Sequence, residues 1–593
     1  MRLDQVYAGW LRVRARFSLT ERQRLFGLTI LIGGVCGLVA VAFHLAIEWV
    51  ASWTIEPAFR ADSWMVWVIA VPAAGALIAG IAMHYAPNAR GSGIPQVKHA
   101  YATSSRRIRV RDSFGKFAIS SLQVGTGSSL GREGPTVQIC AGVAKALGRL
   151  IGVSTHNLRL LLPVGAAAGI AAAFNAPIAA VTFTIEEVVG NLDQTLLSGA
   201  IVAAALAAVV ERSILGDNPV FSIPQGYGLG HAESLIVYAA LGIAAALISV
   251  AFSESMLWLR ERLRRPGALP LWSRPMIGGL VTGAIAVLVM QLMGSEGITG
   301  GGYTTLVDAL SGNIGVDVLL ALGACKLVAT AMAYSSGGAG GIFAPTLFIG
   351  AMLGGAFGAL DVELFGHGHS EVGAFALVGM GAVFAGTVRA PITSVLIIIE
   401  MTGGYGLTLP LMISNMMAYG LARHLRPAPI YEALLAQDGI HLHTTKKPAE
   451  DHLTIASIPL LTEHAALTRQ QSGRELLEVV ASAGRQDVFV VLDGDRRLIG
   501  TITLEDLTAL AGEPDLGGLV YAADLMHAPN SLRPNDTATR ALEVMASLGV
   551  RQLPVTDADD HVLGLIDEAA IARAYLRARA VQADPNASGI RPM

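Results

Sequence analysis

Long apolar stretches follow one another from about residue 25 to residue 422, separated by short segments rich in glycine or charge. Residues 26–47 and 235–252, for example, are each long enough to cross the roughly 30 Å of hydrocarbon in a bilayer. Other stretches are interrupted by lysine or glycine and are expected to span only part of it. The pattern predicts an all-α polytopic membrane domain over residues 25–440, preceded by a short segment, residues 1–24.

The pattern changes after about residue 440, where charges become frequent and short apolar runs alternate with helical-looking segments. This alternation predicts a soluble α/β domain, joined to the membrane domain by a linker over residues 441–451. Residues 488–507 resemble residues 553–571, with Gly500 and Gly564 in equivalent places, so the soluble domain contains two copies of one module. The predicted modules are residues 452–513 and 520–580, and residues 581–593 are predicted to form a disordered tail.

The membrane part also repeats itself. Residues 131–136 (GREGPT) match residues 341–346 (GIFAPT) at an offset of 210, and residues 91–97 (GSGIPQV) match residues 300–306 (GGGYTTL) loosely at 209. A longer match follows at an offset of 214. Secondary transporters are often built from two repeats with the ligand site between them. We therefore predict two internal repeats, inverted relative to each other.

Composition supports a membrane protein and disfavours other classes. Charged residues make up 15% of the 593, against about 25% in soluble domains, and 67 glycines allow close packing of membrane helices. A net charge of −3 does not indicate the basic surface that binding to a nucleic acid requires. The three cysteines lie at spacings that predict neither a metal site nor a disulfide. The N-terminus lacks the pattern of a cleaved signal peptide.

Arginine clusters predict the orientation in the membrane. By the positive-inside rule, short segments rich in arginine face the cytoplasm. Such clusters lie within residues 12–24, 106–111 and 260–265. We therefore expect these segments and both termini to be cytoplasmic.

The segment GREGP places Arg132 and Glu133 side by side inside an apolar region. Irregular backbone is tolerated in a membrane only where it is buried in protein or lines a cavity. Gly131 and Gly134 permit close approach and Pro135 suits the first turn of a helix, whose free N–H groups favour an anion. Glu133 can then compete with that anion and carry a proton; the alternative is that it only pairs with Arg132 or caps the helix.

Together, GSGIPQV, GREGPTVQ, GGIFAPTL and the Tyr431 of PAPIYEALL resemble the signature segments of the CLC family of chloride channels and chloride/proton antiporters, in the family's order. The soluble part resembles a pair of CBS domains. The resemblance implies a homodimeric integral protein of the bacterial inner (plasma) membrane that carries chloride and protons in contact with lipid. It implies no enzymatic activity, no required cofactor and no metal.

The resemblance also assigns residues to the anion pathway. The hydroxyls of Ser92 and Tyr431 would hold a central anion, together with backbone N–H groups at residues 342 and 343, and Glu133 would be the external gate. The complete set is Ser92, Gly93, Ile94, Arg132, Glu133, Gly134, Ile342, Phe343 and Tyr431. Two alternatives are structural, with Ser92 as a helix N-cap and Tyr431 as an interfacial anchor.

Glu187 bears on whether the chain is an antiporter or a channel. It matches the internal glutamate that relays protons in family antiporters, where channels have an apolar residue. Its neighbour Glu186 recurs as Glu400 in the second repeat and is expected to be structural. We therefore predict chloride/proton exchange with Glu133 and Glu187 as gate and relay. A passive chloride channel is the alternative, and for Glu187 itself the alternative is a solvated helix end.

Some lysines and arginines interrupt the apolar runs. The place of Lys98 is acidic in bacterial exchangers of the family, and this reversal bears on either proton entry or anion attraction. Lys116 fits the family pattern, while Lys326 and Arg389 are expected to be structural.

The CBS-like modules are candidates for binding an adenine nucleotide. The first module keeps the pair Thr503 and Asp506, which in such domains contacts ribose and phosphate. The second has Asp567 and Ala570 in those places, so at most one good site is expected. The alternative is that the pair only packs and binds nothing. A non-transporting sensor that reports nucleotide state is disfavoured, because a sensor has no use for intact anion motifs.

Overall fold

The computed structural model describes residues 21–103, 108–153, 155–190, 194–216, 227–265, 270–312, 314–366, 368, 371–440, 453–484, 486–512 and 517–583. The chain divides into two compact units, Met1–Leu442 and His443–Met593. The predicted linker 441–451 lies outside the described residues, as do most of the N-terminal segment 1–24 and of the tail 581–593.

The first unit is entirely helical over the residues described. Within the described ranges, eight helical segments are long and apolar enough to cross a membrane. The helices are Glu21–Trp53, Ile55–Arg60, Trp64–Tyr85, Ile94–Ala102, Val110–Gly125, Glu133–Leu150, Thr155–Phe174, Pro177–Phe183 with a π-helical turn Thr184–Val189, Gln194–Leu215, Ser234–Arg264, Pro275–Met293, Tyr303–Leu310, Val316–Ser335, Phe343–Phe365, Glu371–Val388, Pro391–Thr402, Thr408–Leu425 and Ile430–Gln437. The predicted all-α polytopic domain is confirmed.

The two repeats contact each other reciprocally through their Gly-rich motifs. The N–H of Gly131 donates to the carbonyl of Gly341 at 2.7 Å, and the N–H of Gly341 donates back to Gly131 at 2.7 Å. A symmetric pair of bonds is what a twofold relation between the repeats requires. The inversion of one repeat relative to the other stays a prediction.

Glu186 and Glu400 form a second reciprocal contact. Glu186 accepts the N–H groups of residues 392 and 393 at 3.2 and 2.9 Å, at the start of helix Pro391–Thr402. Glu400 accepts those of residues 178 and 179 at 3.0 and 2.7 Å, at the start of helix Pro177–Phe183. Each carboxylate satisfies orphan donors at a helix N-terminus of the other repeat. The structural task predicted for Glu186 agrees with these bonds.

Buried lysines hold the loops that precede two helix starts. Lys116 donates to two carbonyls in the loop 89–91, at 2.8 and 2.5 Å. Lys326 donates to three carbonyls in the loop 297–300, at 3.0, 3.0 and 2.8 Å. The two lysines are 210 residues apart, so they are repeat equivalents. The lysines stabilise backbone turns that would otherwise bury unpaired carbonyls.

Glycines let the two most deeply buried helices approach closely. A Cβ atom on Gly350 of helix Phe343–Phe365 would lie 2.3 Å from the carbonyl oxygen of Gly379 in helix Glu371–Val388. One on Gly354 would lie 2.1 Å from the carbonyl oxygen of Phe375. Small residues at such spacings are typical of contacts between membrane helices. The abundance of glycine therefore has a packing cause.

The second unit contains two similar α/β modules. In the first, strand Val488–Leu492 pairs in parallel with Ala466–Thr468 and antiparallel with Leu498–Thr503; in the second, Gln552–Thr556 pairs antiparallel with Val562–Asp567. Leu532 bridges Val555 in parallel, which completes the same three-stranded pattern. The helices are Gly473–Ser482, Leu504–Ala511, Ala522–Leu525, Ala538–Leu548 and Glu568–Ala583.

The start of the first predicted module packs on the second. Leu461 bridges Leu565 antiparallel, and Ile455 is buried in the apolar core of the second module. Residues 453–461 therefore complete the second module, although the sequence places them in the first predicted module, residues 452–513. The last helix also continues to Ala583, past the predicted boundary at residue 580.

Candidate functional site

Three Gly-rich segments meet where helices Ile94–Ala102, Glu133–Leu150 and Phe343–Phe365 begin. A Cβ atom on Gly134 would lie 2.4 Å from Oγ of Ser92, and one on Gly341 would lie 3.1 Å from the backbone nitrogen of Gly134. Gly93 has a φ of 103°, and a Cβ there would lie 2.6 Å from the carbonyl oxygen of Gly134. Side chains at these positions would close the space between the helix starts. The predicted residues are thus brought together, with the N-terminal ends of helices around them.

Two buried hydroxyls face this space. Ser92 and Tyr431 are both 0% exposed, and among the described residues neither hydroxyl has a hydrogen-bond partner. They lie near each other but outside hydrogen-bond geometry. A buried hydroxyl without a partner costs about 1–3 kcal/mol, so two such donors suit a bound anion.

The structure disfavours both structural alternatives for these hydroxyls. Gly93, not Ser92, is the N-cap of helix Ile94–Ala102, and the N–H of Ser92 donates to the hydroxyl of Tyr334 at 3.4 Å. Tyr431 is fully buried and therefore cannot act as an interfacial anchor. Both hydroxyls remain available to a ligand.

The ring and the backbone amide of Phe343 have different surroundings. The ring packs against Phe174 and Phe384, with centroids 4.6 and 4.2 Å away. The amide belongs to the first turn of helix Phe343–Phe365, next to the N-cap Ile342, where N–H groups have no partner within the helix. The ring therefore provides bulk while the helix start provides N–H groups, and their role in holding an anion stays a prediction.

Glu133 lies at that same helix start. Its side chain is buried, and Oε2 accepts the N–H of Ala344 at 3.4 Å. Oε1 accepts a hydrogen bond from the hydroxyl of Tyr303. Within the described chain Glu133 forms no ion pair with its neighbour Arg132, whose guanidinium instead lies 5.6 Å from the centroid of the Tyr303 ring. The carboxylate occupies a position that suits an anion, rather than pairing locally.

Glu187 lies in the π-helical turn and is also buried. It accepts a hydrogen bond from Nζ of Lys98 at 2.9 Å, and the same ammonium reaches Glu432 at 3.1 Å. The side chain of Glu187 is 4% exposed, compared with 26% for Glu432. A solvated helix end therefore does not describe Glu187, and the reversed charge of Lys98 serves to bridge two carboxylates.

Tyr431 lies near both predicted proton sites. It interacts electrostatically with both Glu187 and Glu133. Its helix, Ile430–Gln437, also carries Glu432, which is one residue further along. The residues predicted as central hydroxyl, gate and relay thus lie within electrostatic reach of one another through Tyr431.

A cavity of about 910 Å³ opens next to this site within the first unit. Gly91 and Tyr334 line it, and Tyr334 accepts the N–H of Ser92. Its walls carry more arginines than acids. The arginines are Arg90, Arg109, Arg111, Arg260, Arg264 and Arg274, and the acids are Asp112 and Asp438. Positively charged walls raise the local concentration of anions. The cavity brings together two of the arginine clusters that the sequence predicts to be cytoplasmic.

In the soluble unit Thr503 and Asp506 lie together at the start of helix Leu504–Ala511. The hydroxyl of Thr503 donates to Asp506 at 2.6 Å, and the N–H of Asp506 donates to that hydroxyl at 3.2 Å. This is a capping box. Burial acts to raise the pKa of Asp506, but hydrogen bonds from Thr503 and the ring of His527 hold it below its ordinary value.

The second module lacks the equivalent pair. Asp567 accepts the N–H of Ala569 at 2.8 Å and the side-chain amide of Gln552 at 3.2 Å, and Ala570 packs on the apolar core. These residues have local structural tasks.

The sequence motifs alone did not identify three contacts of the site. They are Ala344 and Tyr303 at the gate and Glu432 beside Lys98. The sequence did contain a signal for Tyr303, because this residue lies in the segment 300–306 that repeats the motif containing Ser92.

The structure thus has apolar helices of membrane-spanning length and helix starts around two unpartnered hydroxyls, with two buried carboxylates nearby. The profile of the Voltage gated chloride channel family matches residues 74–423, and the CBS domain profile matches residues 522–577. The chain therefore belongs to the CLC family and carries a C-terminal CBS domain.

Curated relatives agree. The H(+)/Cl(-) exchange transporter ClcA of Vibrio campbellii is 35% identical over 432 residues, which cover 69% of this chain and 88% of the relative. The protein of the same name from Salmonella arizonae is 35% identical over 424 residues, with the same coverage.

Solved structures share the fold. A slow cyanobacterial Cl-/H+ antiporter has a TM-score of 0.64 at 26% identity and covers 72% of this chain and 100% of its own. A eukaryotic CLC transporter, at 21% identity and a TM-score of 0.61, covers 92% of this chain and 98% of its own, and supports the fold alone.

Proposed function

We propose that this protein exchanges chloride for protons across a membrane. The relatives named H(+)/Cl(-) exchange transporters and the likeness to a Cl-/H+ antiporter support this reaction. The observation that carries the proposal is the pair of buried carboxylates, Glu133 and Glu187, both within electrostatic reach of the buried Tyr431. A channel needs a gate, but it has no use for a second buried acid that lies off the anion site.

The anion is held at the helix starts. Ser92 and Tyr431 donate their hydroxyls, and backbone N–H groups at residues 342 and 343 donate to the same anion. Arg132, Gly134 and the segment 93–94 complete the site. Glu133 occupies the anion position when it is charged and leaves it when it takes a proton, so that one side chain couples both fluxes.

The proton takes a separate route on the side of the relay. It reaches Glu187 beside the ammonium of Lys98 and passes Tyr431 on its way to Glu133. Because Glu187 is buried, it can exchange protons with the interior without opening the anion site to bulk water.

Membership of the CLC family also supports a proposal for the oligomeric state, the membrane and the orientation. We propose a homodimer in which each subunit has its own pathway, in the inner membrane of a bacterium, with both termini in the cytoplasm. The arginine-lined cavity then faces the cytoplasm and concentrates chloride. The protein transports its substrates without a required cofactor.

The test is the reversal potential of the purified protein in a planar bilayer with equal chloride on both sides. Exchange predicts that a pH difference alone shifts the potential at zero current. A potential that stays at zero would favour a passive chloride channel.

We also propose that the first CBS module binds an adenine nucleotide, with the charged carboxylate of Asp506 accepting from ribose hydroxyls. The first module repeats the pattern of the second, which matches the CBS domain profile, and hydrogen bonds from Thr503 and His527 favour the charged form of Asp506. Titration of the full-length protein in detergent with AMP and with ATP should show one site per chain. Heat signals that are identical in Asp506→Asn would contradict this assignment.

A further inference from the structure

Tyr303 occupies the place in the second repeat that Ile94 occupies in the first. Gly301 correspondingly stands where the first repeat has Ser92. A Cβ atom on Gly301 would lie 2.6 Å from the ring of Tyr303, so the ring uses the room that the missing side chain leaves. The second repeat thus carries its hydroxyl on a longer side chain, two residues further on.

The backbone holds this tyrosine firmly. Lys326 binds three carbonyls of the loop 297–300, directly before helix Tyr303–Leu310. A Cβ on Gly302, which has a φ of 75°, would lie 2.5 Å from the carbonyl oxygen of Gly297. The ring also lies 5.6 Å from the guanidinium of Arg132. The hydroxyl is therefore presented from a rigid turn.

That hydroxyl donates to Oε1 of Glu133 while the N–H of Ala344 donates to Oε2. Both oxygens of the Glu133 carboxylate therefore accept a hydrogen bond, one from a hydroxyl and the other from a backbone N–H. The space beside the carboxylate is narrow, since a Cβ on Gly131 would lie 2.3 Å from Oε2. The gate cannot leave this position without breaking its bond to Tyr303.

We propose that Tyr303 is a positioning residue that latches the charged gate in the anion pathway. This inference rests on the proposed function, in which Glu133 competes with chloride. A hydrogen bond to a charged group contributes more than one between neutral groups, and a protonated carboxyl is a weaker acceptor than a carboxylate. The latch therefore holds the charged gate, and a proton releases it.

Tyr303→Phe keeps the ring and removes the latch, so chloride should displace the gate more easily. We expect the half-saturating chloride concentration for flux into proteoliposomes to fall about tenfold, the size of one charge-assisted hydrogen bond. The maximal chloride flux should rise, and the ratio of chloride to protons should stay unchanged because Glu133 and Glu187 remain. Tyr419→Phe, which removes a hydroxyl from a partly exposed tyrosine on helix Thr408–Leu425, is the matched control.

The same change in a Glu133→Ala background separates a latch from a general structural effect. Without a carboxylate there is nothing to hold, so Tyr303→Phe should leave the half-saturating concentration of that background unchanged. An equal shift in both backgrounds, or no shift in the wild-type background, would overturn the proposal. The readout is chloride flux alone. Failure of exchange would appear separately, as wild-type protein that moves chloride without protons.

Discussion

Replacing Glu187 with valine tests the proton route without entering the anion site. The carboxylate bonds to Lys98 at 2.9 Å and is 4% exposed, whereas the proposed anion position lies at the unpartnered hydroxyls of Ser92 and Tyr431. Proton flux should collapse and chloride flux should continue. The variant should behave as an uncoupled anion conductor.

The cost to folding can be worked from the contacts of Lys98. Removing one partner of a buried ion pair costs about 3–5 kcal/mol when the other charge is left alone. Here the ammonium keeps Glu432 at 3.1 Å, and that carboxylate is 26% exposed. We therefore expect Glu187→Val to lower the free energy of unfolding by only about 1–2 kcal/mol. Glu187→Gln, whose amide oxygen can still accept from Lys98, should cost less.

The assay is paired chloride and proton flux on one reconstituted sample. Proton flux in Glu187→Gln and Glu187→Val should fall at least tenfold below wild type, with chloride flux maintained. The control is Glu432→Gln, which touches the same ammonium but leaves the bond between Lys98 and Glu187 in place, and it should still move protons. Equal proton flux in wild type and Glu187→Gln would remove Glu187 from the mechanism.

Three further changes test the other parts of the site. Glu133→Gln cannot give up a proton, so proton coupling should disappear while anion flux survives; proton pumping by this variant in vesicles would refute the gate. Tyr431→Ala removes a hydrogen-bond donor and a bulky group together. Calorimetry should therefore show weaker chloride binding, and flux measurements should show fewer protons moved per chloride. If both values are unchanged, Tyr431 has only a structural role. Asp506→Ala removes the side-chain acceptor of the capping box and should lower the stability of the soluble unit by about 1 kcal/mol. This would be visible as an earlier unfolding transition in calorimetry of the full chain, and an unaltered transition would contradict the energetic role of that cap.

Local pattern was enough to predict most of the membrane fold. Spans follow from the length of apolar runs, and the repeats follow from matching motifs at nearly one offset. The meeting of Ser92, Gly134 and Gly341 could be expected because Gly-rich helix starts inside a membrane must line a cavity. These inferences need only neighbouring residues or the repeat itself.

Contacts between distant residues could not be predicted in this way. Lys98 is 89 residues from Glu187 and 334 from Glu432, and its charge reversal has no meaning until the three meet. Tyr303 lies 170 residues from the gate that it touches. Residues 453–461 precede the first module in the chain but pack on the second, because Leu461 pairs with Leu565. In each case tertiary packing, and not local preference, decides the partner.

Uphill proton movement is the most direct test of exchange. Proteoliposomes loaded with concentrated chloride are diluted into low chloride at equal pH, with valinomycin and potassium to clamp the voltage, and the external pH is followed. Exchange predicts that chloride leaving the vesicles drives protons inward, so the external pH rises until an uncoupler collapses the gradient. Protein with Glu133→Ala should release chloride without this rise. Chloride efflux from wild-type vesicles with no change in external pH would contradict chloride–proton exchange.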